Sequence, residues 1–175
     1  MTEEEMLEIL HQFDVAKGDC KKAIWANEIA HKRIMPWLPY FLKFYPEARS
    51  YVTRLKFVFA AILFSRNYED AFQLGLLALK DKATMVRYRA CQLLANSYRQ
   101  EAIPHLEPLL SHPDRKTAED ARFAILSLEH KNHNLFMDRS MSGGITWGRQ
   151  LSPKERERIF GKWAEPSNRN LSTSW

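Results

Sequence analysis

The segment YEDAFQLGLLALKDKATMVRYRACQLLANS (residues 68–97) decides the fold. Apolar side chains recur at helical spacing through Ala71, Leu74, Leu77 and Ala78, stop at Lys80-Asp81-Lys82, and resume at Val86, Ala90, Leu93 and Leu94. That is helix, turn, helix. The next block, EAIPHLEPLLSHPDRKTAEDARFAILSLE (101–129), repeats the plan. Ile103, Leu106, Leu109 and Leu110 precede a turn at His112-Pro113-Asp114, and Ala121, Ala124, Ile125 and Leu128 follow it. The blocks lie about one helical-repeat period apart, although the step from Leu79 to Leu110 differs by three residues from that of Ala90 to Ala124. Periodicity alone fits either an antiparallel bundle or a stack of helical hairpins.

The pattern carried by Leu79, Asp81, Val86, Arg87, Ala90 and Leu94 resembles the HEAT-repeat family, over about a third of the chain. The second copy, Leu110, Asp114, Ala121 and Leu128, lacks the Val-Arg pair after its turn. The resemblance implies an all-α solenoid of antiparallel hairpins, with first helices outside and second helices lining a concave side. It also implies that Arg87 pairs structurally with the turn residue Asp81. With Val86, Ala90, Leu93 and Leu94 in the core, Arg89, Gln92 and Asn96 fall on the opposite, exposed side of their helix, and Glu119 and Arg122 hold that place in the next block.

Length and composition agree with one helical domain over 1–165, with the repeats at about 68–129 and a polar, flexible tail at 166–175. The chain has 175 residues, is 45% hydrophobic, and contains only six glycines, with no strand-turn-strand signal. No apolar run reaches the length of a bilayer span, since Lys56 interrupts the richest segment, 55–64, and Arg66 closes it. The acidic start MTEEEMLEIL is unlike a secretory signal, and Cys20 and Cys91 form no short motif. A cytoplasmic protein without disulfides, and without a membrane partner, is expected.

Charge is uneven along the chain. Residues 1–19 hold one basic and six acidic side chains, hence −5, while 20–66 hold nine and two, hence +7. Residues 67–130 carry eight and nine, hence −1, and 131–175 carry eight and four, hence +4. Near-neutral repeats argue against a nucleic-acid surface there, because phosphate binding gathers lysine and arginine on one face. The basic 20–66 segment keeps that alternative open.

Along the rest of the chain, Thr2 and Glu5 form a capping-box pattern for a first helix with Met6, Leu7, Leu10 and Phe13 on its apolar side. Asp19 starts a second helix, with Trp25 on its buried side, that Pro36 ends. The aromatic set Trp37, Tyr40, Phe41, Phe44, Tyr45 and Tyr51 reads either as core filling or as a recognition patch. An apolar helix over 47–64 follows. After Glu129 the periodicity stops. HKNHNLFMDRSMSGGITWGRQ (130–150) reads as a long loop, before a last helix opened by Ser152-Pro153-Lys154-Glu155.

Within that loop Asn132, His133, Phe136, Asp138, Arg139, Ser142, Gly143 and Trp147 give a faint resemblance to small bacterial HEAT-like immunity partners of secreted toxins. The resemblance implies contacts from Asn132, His133, Asp138, Arg139 and Trp147. The residues alone equally fit a terminal cap in which Asp138 pairs with Arg139. His130 and His133 lack the further ligands of a zinc site, and no P-loop, dinucleotide or nucleophile motif occurs. No enzyme, cofactor or metal is expected. The expected function is a protein-binding module, most concretely an immunity-type inhibitor of a cognate toxin domain. The alternatives are nucleic-acid binding or a HEAT-like DNA glycosylase, whose catalytic aspartate matches no position here, and a scaffold or adaptor.

Overall fold

The computed structural model describes residues 2–18 and 34–142. The described residues are all-helical, without a strand: α1 Glu3–Val15, α2 Leu38–Phe44, α3 Tyr51–Ala61, α4 Glu69–Ala78, α5 Thr84–Ser97, α6 Ile103–Leu106 and α7 Arg115–Glu129. The expected helix from Asp19, with Trp25, the final helix from Ser152, and the 166–175 tail lie outside these residues.

Local chemistry sets the ends. Thr2 and Glu5 close a full capping box on α1. Ser50 accepts from the Thr53 amide, so α3 begins at Tyr51, four residues later than the apolar pattern suggested. Asp114 caps α7 by accepting from Lys116 N. The helix expected over 101–110 is broken: α6 is four residues long, flanked by 3-10 turns over Gln100–Ala102 and Glu107–Ser111. Pro104 and Pro108 explain this, because each lacks the N–H that a continuing α-helix would use.

Helix α5 is the centre. It packs on α3, α4 and α7, and α2 packs on α4. Val86, Ala90, Cys91, Leu93, Leu94 and Ala95 have no exposed surface. Gly75 lets α4 approach closely: a Cβ there would stand 2.5 Å from Leu93 Cδ2 and 3.0 Å from Leu94 Cδ2. Most of the aromatic set fills the core beneath α1 and α3. Phe41 stacks on Phe57 at 4.6 Å, and Trp37, Phe44 and Tyr45 are buried, while Tyr40 is half-buried and Tyr51 exposed.

A polar ladder ties successive turns together. Arg54 donates from Nη1 to Ala48 O, six residues back, and from Nε and Nη2 to the Asp81 carboxylate, 27 residues on. Arg87 repeats the scheme, with Nη1 on Asp81 O six residues back and Nη2 on Asp114 Oδ2 27 residues on. The two sets are offset by 33 positions, from 54 to 87 and from 81 to 114. The expected Arg87–Asp81 side-chain pair is therefore corrected. Arg87 reaches only the Asp81 backbone, while its ion pair crosses to Asp114, and Asp81 belongs to Arg54. The same offset sets Ala48 and Arg54 in register with Asp81 and Arg87, a relation the apolar pattern alone did not reveal.

Candidate partner-binding face

The 33-position offset aligns one side of α3, α5 and α7. On α3 it comprises Val52, Lys56, Phe59 and Leu63 just beyond the helix end; on α5 Met85, Arg89, Gln92 and Asn96; on α7 Ala118, Arg122, Ile125 and Glu129. Neighbouring helices present this side together, because the Arg89 guanidinium of α5 lies over the Phe59 ring of α3 at 4.8 Å. Phe59, Leu63 and Met85 are 47%, 51% and 50% exposed. Phe59 and Leu63, four residues apart, make an exposed apolar pair at the end of α3, and Met85 is exposed at the start of α5; contiguous exposed apolar side chains mark a contact surface more often than scattered ones do. Lys56, Arg89 and Arg122 hold the same position of the 33-residue register on α3, α5 and α7, a column of three cations, none of which has a carboxylate ion-pair partner among the described residues.

The residues expected to contact a partner divide into two groups. Arg89 is half-exposed and donates from Nη1 to Gln92 Oε1 at 2.5 Å, while Arg122 and Glu119 are exposed. Gln92 and Asn96, expected on the surface, are instead buried at 2% and 6% exposure. Neighbours cause the burial: Gln92 Nε2 meets Met137 Sδ at 3.7 Å, and Asn96 Nδ2 donates to Ile62 O at 2.9 Å. Arg66 Nε closes the other side by donating to Asn96 O at 2.7 Å.

The segment after α7 is a packed cap through residue 142. His133 to Phe136 forms a 3-10 turn that Asn132 caps by accepting from Asn134 N. His133 is buried, with Nδ1 at 2.7 Å from Tyr98 Oη and 3.3 Å from Arg66 Nη2, and the Arg66 guanidinium lies 3.8 Å from the Tyr98 ring centre. Tyr98 stands at φ 58 and holds the left-handed end of α5. Phe136 packs on Tyr88, whose hydroxyl points to Met137 Sδ. The expected Asp138–Arg139 pair is not formed. Asp138 is 2% exposed and accepts at Oδ1 from Ser140 Oγ and from Ser142 N and Oγ. Arg139 turns instead to Asp120 and Glu119, over the rings of Phe123 and Phe136. Trp147 lies outside the described residues. The loop candidates that are described thus serve the frame more than they serve the surface.

Electrostatics separate the frame from the face. Burial pushes the Asp81 carboxyl upward, but hydrogen bonds from Arg54, the Ala83 amide and Tyr45 outweigh it and hold the group below its ordinary range. Tyr45 is raised by burial and by donating to Asp81 at 2.7 Å. Bonds from the Thr117 and Thr84 hydroxyls lower Asp114 to about 2. Asp120 runs the other way: burial raises it more than Arg139 lowers it. Burial also raises the Cys91 thiol, which makes it a core residue and a poor nucleophile. Among the described residues no three His, Cys, Asp or Glu side chains group as a metal site, and no helix is long and apolar enough to cross a membrane.

Sequence reasoning missed Lys56, Phe59, Leu63 and Met85. The signal was present, since Lys56, Arg89 and Arg122 are spaced by 33 from 56 to 89 to 122, but it became visible only once 35–64 was placed in register. Compared with known proteins, the chain matches no family model, no curated protein and no solved structure.

Proposed function

We propose that the chain is a non-enzymatic protein-binding module, a HEAT-like stack of helical hairpins whose second-helix side meets a partner. The observation that carries this reading is the exposure of Phe59, Leu63 and Met85 on α3 and α5, with Arg89 lying over Phe59 and Lys56 and Arg122 at the register position of Arg89. Stacked helix pairs expose broad continuous surfaces of this kind. The buried, ion-paired arginine ladder supplies rigidity without using the outward side chains, so the two roles fall on different residues.

In its most concrete form the partner is the toxic domain of a bacterial protein, which this chain covers and neutralises. The faint resemblance of 132–147 to immunity partners supports that version, although 132–142 pack as a cap. The test begins with a toxin-like reading frame beside the gene and the purified C-terminal domain that it encodes. Co-elution with that domain, lost in Phe59→Glu with an unchanged melting temperature, is expected. Failure to co-elute, or the absence of such a reading frame, removes the immunity version.

One observation favours a second reading. The cationic column would follow a phosphate backbone, which is the nucleic-acid alternative. It predicts duplex binding whose affinity falls steeply with salt, and no duplex binding at low salt eliminates it.

A further inference from the structure

We infer that the second-helix face takes an acidic amphipathic helix of the partner protein, with carboxylates on Lys56, Arg89 and Arg122 and apolar side chains on Phe59, Leu63 and Met85. This deepens the protein-binding reading and rests on it. The first argument is charge. Arg54, Arg87, Arg99 and Arg139 all have carboxylates within ion-pair distance, whereas the three column residues have none among the described residues. Arg89 also lies beside apolar surface. Arg89 sits over Phe59 and, at 5.2 Å, over Tyr88. A carboxylate arriving there would bind a cation already oriented by aromatic rings.

Spacing gives the second argument. The column residues stand on three successive packed helices, and packed helix axes lie about 8–10 Å apart. Acidic groups on the partner must repeat at about that distance. In an α-helix rising about 1.5 Å per residue, positions i, i+7 and i+14 share a face and repeat at about 10.5 Å. An extended segment with every third residue acidic would match the distance. It would, however, leave its backbone N–H and C=O groups over a surface made of side chains, with no strand edge among the described residues to pair them. A helix arrives with its backbone already bonded. A run of phosphates fits less well, because the exposed apolar side chains Phe59, Leu63 and Met85 would face it with no apolar partner.

The experiment uses the full chain and a fluorescein-labelled 21-residue helical peptide with Glu at i, i+7 and i+14 beside a Leu stripe. The expected result is saturable anisotropy, weakened about tenfold or more by Lys56→Glu, Arg89→Glu or Arg122→Glu, each of which keeps the wild-type melting temperature. A peptide with Lys at the three Glu positions should not bind. Equal binding of the Glu and Lys peptides, or binding indifferent to the three reversals, overturns the proposal. So does tighter binding of a 20-base-pair duplex with a salt slope of about three charges. A photocrosslinker, p-benzoylphenylalanine installed at Phe59 in the living host, separates the two levels. A crosslinked protein without an acidic helix at the crosslink overturns this inference and leaves the protein-binding reading standing. Absence of any crosslinked protein, with no peptide binding, overturns both.

Discussion

Removing one side of the buried Arg54–Asp81 pair should be the most damaging single change in the frame. Both side chains are almost fully enclosed, at 7% and 3% exposure. Arg54→Met keeps most of the volume but leaves the Asp81 carboxylate with only the Tyr45 hydroxyl at 2.7 Å and the Ala83 amide at 2.8 Å. It also strips Ala48 O and Arg49 O of their guanidinium donor. Orphaning one member of a buried ion pair costs about 3–5 kcal/mol. With an m-value of about 2 kcal/mol/M, that moves the urea midpoint down by about 2 M. It is a large share of the ~5–15 kcal/mol that holds a domain folded.

Two comparisons make the argument specific. Arg87→Met should cost less, because its partner Asp114 is 30% exposed and keeps hydroxyl donors from Thr84 and Thr117. Adding Asp81→Asn to Arg54→Met should recover part of the loss, since the neutral amide accepts from the Ala83 amide through its oxygen and donates its NH2 to the Tyr45 hydroxyl oxygen, leaving no orphaned charge. The pH dependence has a defined sign. In the wild type Asp81 is held low, so its contribution is present above the ordinary carboxylate pKa and lost as pH falls below it. Without Arg54 the burial that raises the group loses its strongest counterweight, so the variant's deficit at pH 7 should shrink toward pH 4. Urea melts followed by circular dichroism at both pH values provide the measurement. A midpoint shift under about 0.5 M, or a double variant no more stable than Arg54→Met, refutes the reasoning.

Two further outcomes follow from single groups. Asp114 is lowered to about 2, so the stability it contributes is complete above an unfolded value of 3.8 and disappears as pH falls toward about 2. Urea melts between pH 2 and 5 should therefore show a shallower acid decline for Asp114→Asn than for the wild type. Cys91 is wholly buried with its thiol pKa raised, so in a Cys20→Ser background it should resist Ellman's reagent in buffer and react at the rate of a free thiol in urea.

The helices were legible where one physical signal dominated. Val86, Ala90, Leu93 and Leu94 repeat at helical spacing because one side of α5 meets α3, α4 and α7, and that periodicity survives in the sequence. What failed depended on distant atoms. Gln92 and Asn96 do lie on the outward side of their helix, but Met137 and the Ile62 carbonyl, 45 and 34 residues away, cover them. Arg87 chose Asp114 over Asp81 because a partner 27 residues on is invisible to any local pattern. Pro104 and Pro108 shortened α6, and the step from Leu79 to Leu110 disagreed with the step from Ala90 to Ala124 because neither pair is equivalent: the 33-position offset sets Leu79 against His112 and Ala90 against Phe123.

The ladder also explains why the segment after α7 belongs to the frame. Positions 54 and 87 hold arginine, each reaching forward to an aspartate in the next turn, but position 120, the next 33 on, holds aspartate. The rung has changed sign. A buried carboxylate in that place needs a cation, and Arg139, 19 residues on, provides it. Asp138 fixes the backbone that delivers Arg139 by gathering Ser140 and Ser142 around its own carboxylate. Arg139 and Asp138 are therefore committed to holding α7, and an alanine at either would be expected to act on folding before it acted on any partner. Side chains free of that duty sit elsewhere, on the outward side of α3, α5 and α7. Under the proposed protein-binding reading, recognition therefore falls on Lys56, Phe59, Leu63, Met85, Arg89 and Arg122 rather than on 132–142.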